Sequence, residues 1–171
     1  MAHAVVVLFD ERADTAIRAL WRRLASAGVP GQAGGQPPHM VFAQAGSIPA
    51  RTRAALRAEL STLAIPDLWL STLGTFPATE NVLMLGAVVD GELLAVHSAV
   101  HDVLAGRVRD ASAYYLPSAW VPHCALATGI EDAQVAAGFA ALHPVARIRA
   151  AVREIAVVDT RTGERDPLVT R

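Results

Sequence analysis

The sequence contains no lysine: all fifteen of its cationic side chains are arginine, set against sixteen acidic ones for a formal charge of −1. That balance excludes a global electrostatic pull toward nucleic acid or an acidic membrane, so any anion site has to be local. The missing lysine, beside abundant alanine, valine, arginine and glycine, is what a GC-rich coding genome produces, and it carries no functional reading. Cysteine is reduced to Cys124 alone, which excludes an intramolecular disulfide and a cysteine-based zinc cluster and suits a reducing compartment. No apolar run approaches the roughly 18 residues that a membrane span requires. The N-terminus also lacks a basic segment followed by a signal-type apolar core, and the expected location is the cytoplasm. There is no G-x-S-x-G elbow. The glycine-rich G-Q-A-G-G-Q precedes a strand rather than a helix, and so lacks the context of a phosphate-cradling loop.

What is present is ordered and apolar. With 171 residues, 53% of them hydrophobic, the chain suffices for one globular unit, residues 1–171 taken as a single domain of two fused halves. A-V-V-V-L-F-D opens it as a buried strand, and from Asp14 the period changes to that of a helix carrying Ile17, Leu20, Trp21 and Leu24, stopped by Gly28 and Pro30. Gly31 to Pro38 reads as a loop. A strand P-H-M-V-F-A-Q follows, then a helix capped by Ser47, with Pro49 in its first turn and Leu56, Leu60 and Leu63 on its buried stripe. D-L-W-L-S-T-L and N-V-L-M-L-G-A-V-V-D form an antiparallel pair around a turn at Pro77 to Asn81. Asp90-Gly91 starts a helix with Leu93, Val96, Val100 and Leu104 on one face. An irregular stretch after Gly106 leads to a second Pro-His strand, a helix over Asp132 to Leu142, and an extended tail from Ala146 to Thr160 that turns at Thr162-Gly163.

The chain therefore writes one phrase twice: P-H-M-V-F-A at His39 and P-H-C-A-L-A at His123, each ahead of a helix. Two copies so far apart indicate paired lobes rather than a solenoid. Alternate side chains of a strand share a face, which groups His39 with Val41 and His123 with Ala125, while Met40, Phe42, Cys124 and Leu126 point into a core.

Two Pro-His-h-x-h strands, near one-quarter and three-quarters of the chain, resemble the two-histidine (2H) phosphoesterase superfamily, in its 2′-5′ RNA ligase or cyclic phosphodiesterase-like branch. The resemblance runs through most of the chain, and W-V-P-H-C-A-L-A is its most specific part. It implies an α+β fold of two pseudo-symmetric lobes of antiparallel sheet with outer helices around a central cleft, one histidine coming from each lobe. It implies a metal-independent reaction without cofactor, in which His39 and His123 act as acid and base on a 2′,3′-cyclic or related phosphodiester. Imidazoles, with a reference pKa of roughly 6.5, can supply both forms together near neutral pH. The partner implied is a nucleotide or an RNA terminus with a cyclic phosphate. The modest arginine content favours these over a long polyanion. No membrane and no obligate protein partner is implied, and a monomer is expected.

The chain departs from the family pattern at two places. Where the family has a phosphate-binding Thr or Ser two residues after each histidine, this sequence has Val41 and Ala125. A hydrogen bond to a charged group contributes about 1.5 to 3 kcal/mol, so losing two removes roughly 3 to 6 kcal/mol, or about a hundredfold to ten-thousandfold in rate. Candidate substitutes for substrate binding are Tyr114, Tyr115, Arg107 and Arg109 upstream of the second motif, with Gln44, Ser47 and Thr128 downstream of the two; in a regular strand Thr128 faces away from His123. Trp120 is a candidate for stacking on a base. The alternative is a catalytically weak or inactive nucleotide or small-ligand binding protein on the same fold. A third reading, a metal-dependent hydrolase, rests on His97 and His101 one helical turn apart, but their stripe of Leu93, Val100 and Leu104 favours packing histidines. His3 reads as a strand start, His143 as a helix end, and Cys124 as a small core group.

Overall fold

The structure, a computed structural model, describes residues 2–32, 35–76 and 81–171. Three of the four α-helices begin where a side chain can satisfy free N–H groups. Asp10 accepts from the Ala13 amide at 3.4 Å and starts α1 (Glu11–Ser26), and Asp90 accepts from Leu93 at 2.8 Å and starts α3 (Gly91–Leu104). Glu131 and Gln134 form a capping box at α4 (Asp132–Leu142). Only α2 (Ala50–Ser61) lacks a side-chain cap among these: Pro49 holds its N-cap position, and Ser47, expected there, pairs with Arg109 in an isolated bridge instead.

The strands are β1 (His3–Phe9), β2 (His39–Ala45), β3 (Leu68–Thr75), β4 (Asn81–Ala87), β5 (His123–Ile130), β6 (Ile148–Ala150), β7 (Val152–Asp159) and β8 (Arg165–Thr170). They form an antiparallel sheet in the order β6-β3-β4-β5-β2-β1-β7-β8. Its two middle strands, β5 and β2, meet at the single register pair Met40↔Cys124, so the sheet is two four-stranded lobes joined by a seam. The expected β3–β4 pairing is present, while its turn at 77–80 lies outside the described residues. The tail, expected as one strand, is two: β6 pairs with β3 in one lobe and β7 with β1 in the other, with the crossing at Ala151.

The lobes repeat one plan, strand-helix-strand-helix, as β1-α1-β2-α2 and β4-α3-β5-α4. Each unit then contributes its next long strand to the opposite lobe: β3 joins β4, and β7 joins β1. Because β1 and β2 are antiparallel neighbours with a helix between them, the chain must climb back the length of α1, roughly 24 Å for its 16 residues, before β2 can start. The segments that precede β2 and β5 make that return, and each ends in a proline, Pro38 or Pro122, directly before the histidine that opens the strand.

The helices cover one face of the sheet. Phe9, Ile17, Leu24, Met40, Phe42, Leu56, Leu70, Leu83, Leu85, Cys124 and Leu126 are buried there in one cluster drawn from both lobes. Gly138 on α4 is needed for close approach, since a Cβ would stand 2.6 Å from Leu83 Cδ2. Among the described residues no helix is long and apolar enough to cross a membrane.

Candidate active site at the seam

The Met40↔Cys124 pair sets the site. In antiparallel register it places His39 across from Ala125 and Val41 across from His123. Met40 and Cys124 are fully buried on the helix side, so the four neighbours emerge together on the opposite face, each half-buried. Two imidazoles thus stand on one diagonal of the seam, with a valine and an alanine on the other.

Both histidines are anchored alike. His39 Nδ1 lies 2.9 Å from the Pro37 carbonyl, and His123 Nδ1 lies 2.7 Å from the Val121 carbonyl. A carbonyl only accepts, so Nδ1 carries the proton in each ring and Nε2 is left for chemistry. In both cases a proline, Pro38 or Pro122, separates the histidine from its acceptor, and its fixed φ sets the turn that makes this bond. The repeated Pro-His is therefore an anchoring device for the ring.

Burial pushes the His123 pKa below its ordinary value and repulsion from His39 pushes it the same way, against the Val121 hydrogen bond. The Phe76 ring, edge-on with centroids 5.0 Å apart, adds to the cover. A positive charge on His39 therefore disfavours one on His123. His39→Ala removes one of the lowering influences, and the His123 pKa is expected to rise, read by NMR titration of its ring protons. A downward move or none would show that the rings do not face each other.

Beyond the histidines both strands carry a β-bulge at the same place. On β2, Val41 pairs with Val6 and Ala43 with Val5, leaving Phe42 as the extra residue; on β5, Ala125 pairs with Met84 and Ala127 with Leu83, leaving Leu126 extra. The bulge shifts the alternation by one. Gln44 stands opposite Ala4, in line with His39 opposite Leu8 and Val41 opposite Val6, and Thr128 stands opposite Val82, in line with His123 opposite Gly86. The expectation that Thr128 faces away from His123 is therefore corrected: it shares that face. Gln32, from the loop before β2, donates its backbone N–H to the Leu126 carbonyl at 3.0 Å and its amide to Thr128 Oγ1 at 3.1 Å.

Two hollows flank His39. One of about 90 Å³ is lined by Trp21, Gln32, Gln36, Ala125 and the Pro37–His39 turn. The other, about 170 Å³, is lined by Gln36, His39, Val41 and Gln44 together with Ala4, Val6, Val158 and Thr160. Sequence reading missed Gln32, Gln36, Phe76 and the placement of Trp21, because loop residues carry no period that says where they point.

The remaining candidates sit elsewhere. Tyr114 is 83% exposed, and Tyr115, half-buried in a 3₁₀ turn (Ala113–Tyr115), has its hydroxyl pKa raised by burial. Arg109 is exposed, and its carbonyl holds the Gly46 amide. Gly46 follows the end of β2, so Arg109 is roughly 23 Å of strand away from His39 and is not brought to the pair. Arg107 lines a groove with Pro49 and, on α2, Arg51, Thr52 and Ala55. Trp120 lies against His97, ring planes stacked with centroids 3.7 Å apart, and donates Nε1–H to the Val41 carbonyl at 3.0 Å. His97 and His101 direct Nε2 at one oxygen, the Phe42 carbonyl, at 3.1 and 3.0 Å. They seal the bulge of β2 just as Gln32 seals that of β5. Among the described residues no group of three or more metal-ligating side chains converges. His3 accepts the Ile48 amide at 2.9 Å, and the Cys124 thiol, buried, is pushed up to about 12 and stays protonated.

His97 is fully buried and its pKa is lowered to about 4, chiefly by burial. A folded value below the unfolded one means that the unfolded chain takes the proton first as pH falls, so stability is full above about 6.5 and declines toward pH 4. The loss expected is about 3 kcal/mol, measured by urea denaturation across that window. His97→Gln should flatten the slope, and an unchanged slope would assign the acid sensitivity to other groups.

These features have relatives. The model of the 2′-5′ RNA ligase superfamily matches residues 5–164. The chain belongs to that superfamily, the two-histidine phosphoesterases. Among solved structures, Usb1 of Kluyveromyces marxianus superposes with a TM-score of 0.52 at 9% identity, covering 97% of this chain and 96% of the other, which shows a shared fold. No curated protein matches the sequence. In this chain the two residues across from the histidines, Val41 and Ala125, are both apolar.

Proposed function

We propose that this two-histidine protein hydrolyses 2′,3′-cyclic or related phosphodiesters of nucleotides or RNA ends, with His39 and His123 as the catalytic residues. The observation that carries the reading is the pair of imidazoles on one face of the seam, each with Nδ1 tied to the carbonyl two residues before it and Nε2 available. Water attacks phosphorus in line and the bond to one ribose oxygen breaks. One Nε2 takes the proton from the water, the other gives its proton to the leaving oxygen, and a phosphomonoester results. The lowered pKa of His123 favours its neutral form, which casts it as the base in this direction and His39 as the acid. Both proton transfers are assigned to side chains of this chain, and turnover is accordingly expected to persist in EDTA.

A second reading, a nucleotide receptor with little or no turnover, is favoured by Val41 and Ala125, which offer no side-chain donor at the two positions across from the histidines. Hydrolysis of 2′,3′-cyclic nucleotides in the presence of EDTA separates the two. Release of nucleoside monophosphate supports the enzyme, whereas histidine-dependent binding without release supports the receptor. The same reading treats residues 1–171 as one bilobal unit, supported by the buried cluster drawn from both lobes. It places the protein in the cytoplasm as a monomer, with the lone buried thiol as support for the compartment.

A further inference from the structure

Resting on the phosphodiesterase reading, we infer that the amides of Gln44 and Gln32 replace the two missing hydroxyls and form an uncharged clamp selective for a singly charged phosphodiester. The twin bulges make this possible. On β2, the residue after Val41 on the cleft face is Gln44, one row along, roughly 7 Å away and within the span of a glutamine side chain leaning back along its strand. Among the described residues its side chain has no hydrogen-bond partner, and it lines the same hollow as His39 and Val41. On β5 the corresponding position is Thr128. Its hydroxyl is too short to reach back, but it holds the Gln32 amide at 3.1 Å, and Gln32 lines the hollow that contains His39 and Ala125. An amide nitrogen has two N–H groups, so Gln32 keeps one for a ligand. One amide therefore stands beside each apolar substitution.

Charge sets the selectivity. Among the described residues neither hollow is lined by an aspartate, glutamate or arginine, and the proposed division of labour, one histidine as acid and one as base, puts one proton on the pair. A site with one positive charge and neutral donors matches a diester, which carries a single negative charge. The phosphomonoester product approaches two negative charges above its second pKa of roughly 6, and the extra charge would enter the half-buried site without a partner. The clamp thus favours substrate over product, which promotes release.

The test is steady-state hydrolysis of a 2′,3′-cyclic nucleotide, with binding of the same compound measured calorimetrically. Gln44→Ala and Gln32→Ala are each expected to lower kcat/KM by about ten- to a hundredfold. Val41→Thr in the Gln44→Ala background and Ala125→Thr in the Gln32→Ala background should recover most of the loss, since each restores a donor from the strand itself. Gln44→Glu, of the same size, should fall below Gln44→Ala because it adds a negative charge, and it guards against a folding defect in the truncated variant. Nucleoside monophosphate should inhibit weakly, and affinity should be almost flat against salt, as expected where no arginine meets phosphate. If the glutamine variants keep wild-type kcat/KM while the histidine variants lose it, the clamp is wrong and the phosphodiesterase reading stands. If the wild type neither hydrolyses nor binds the cyclic nucleotide, the phosphodiesterase reading falls and the clamp falls with it.

Discussion

Replacing either His39 or His123 with alanine is expected to lower kcat/KM for 2′,3′-cyclic nucleotides by about a hundredfold to ten-thousandfold, with EDTA present throughout. The size follows from the division of labour. Each Nε2 moves one proton in a step that needs both transfers, so losing either ring leaves an unassisted attack or an unassisted departure. The double variant should be little worse than the worse single one, because groups acting as a unit do not contribute additively. In the wild type the acid limb of kcat/KM should lie below pH 6.5, because the lowered pKa of His123 keeps its neutral form populated to lower pH. A base is lost when it is protonated, so activity falls as pH falls through that value. Two outcomes would sink the mechanism: turnover indifferent to both substitutions, or turnover abolished by the chelator and restored by a divalent metal.

Phe42→Ala should be the costliest change away from the histidines, at about 3 to 5 kcal/mol. The ring is only 1% exposed and meets the edges of His97 and Trp120 at centroid distances of 5.7 and 5.3 Å. Phe42 is also the bulged residue of β2, and its carbonyl receives both His97 and His101. Its loss would leave a cavity at the point where the lobes part, under the strand that carries His39. Denaturant titration should show the fall in stability, with Phe42→Leu losing much less and Tyr114→Ala, at an exposed site, close to nothing. A cost under about 1 kcal/mol would mean that this cluster is not a packed part of the core.

Much of the arrangement is legible before folding is considered. Alternation places Met40, Phe42, Cys124 and Leu126 in the core, all of them buried, and turns His39 and His123 the other way. The apolar stripe of α3 and the Asp90 cap are readable because a helix and its start depend on residues three or four apart. The repeated Pro-His is readable as one phrase written twice, while the bond from Nδ1 to the carbonyl two residues before it, although local, is seen only in the folded chain. The long returns before β2 and β5 follow once a helix is placed between antiparallel neighbours.

Other features belong to the tertiary structure alone. Nothing in M-V-F-A-Q or C-A-L-A-T marks Phe42 and Leu126 as bulges. An extra residue in a strand is defined against its neighbour, here Val5–Val6 or Leu83–Met84, far off in sequence. That shift brings Gln44 and Thr128 onto the histidine face, against the regular alternation that turns Thr128 away. The partners of His97, His101 and Trp120 were hidden for the same reason: each bonds a carbonyl on β2 that is open only because the lobes separate after Met40. The division of the tail between the lobes, and the exclusion of Arg109 from the histidine pair, follow from which strands pair with which. The sequence by itself determined the two histidines and their faces, because those depend on neighbours along the chain. Which polar groups join them was decided by strand register, a relation between distant segments that exists only once the chain has folded.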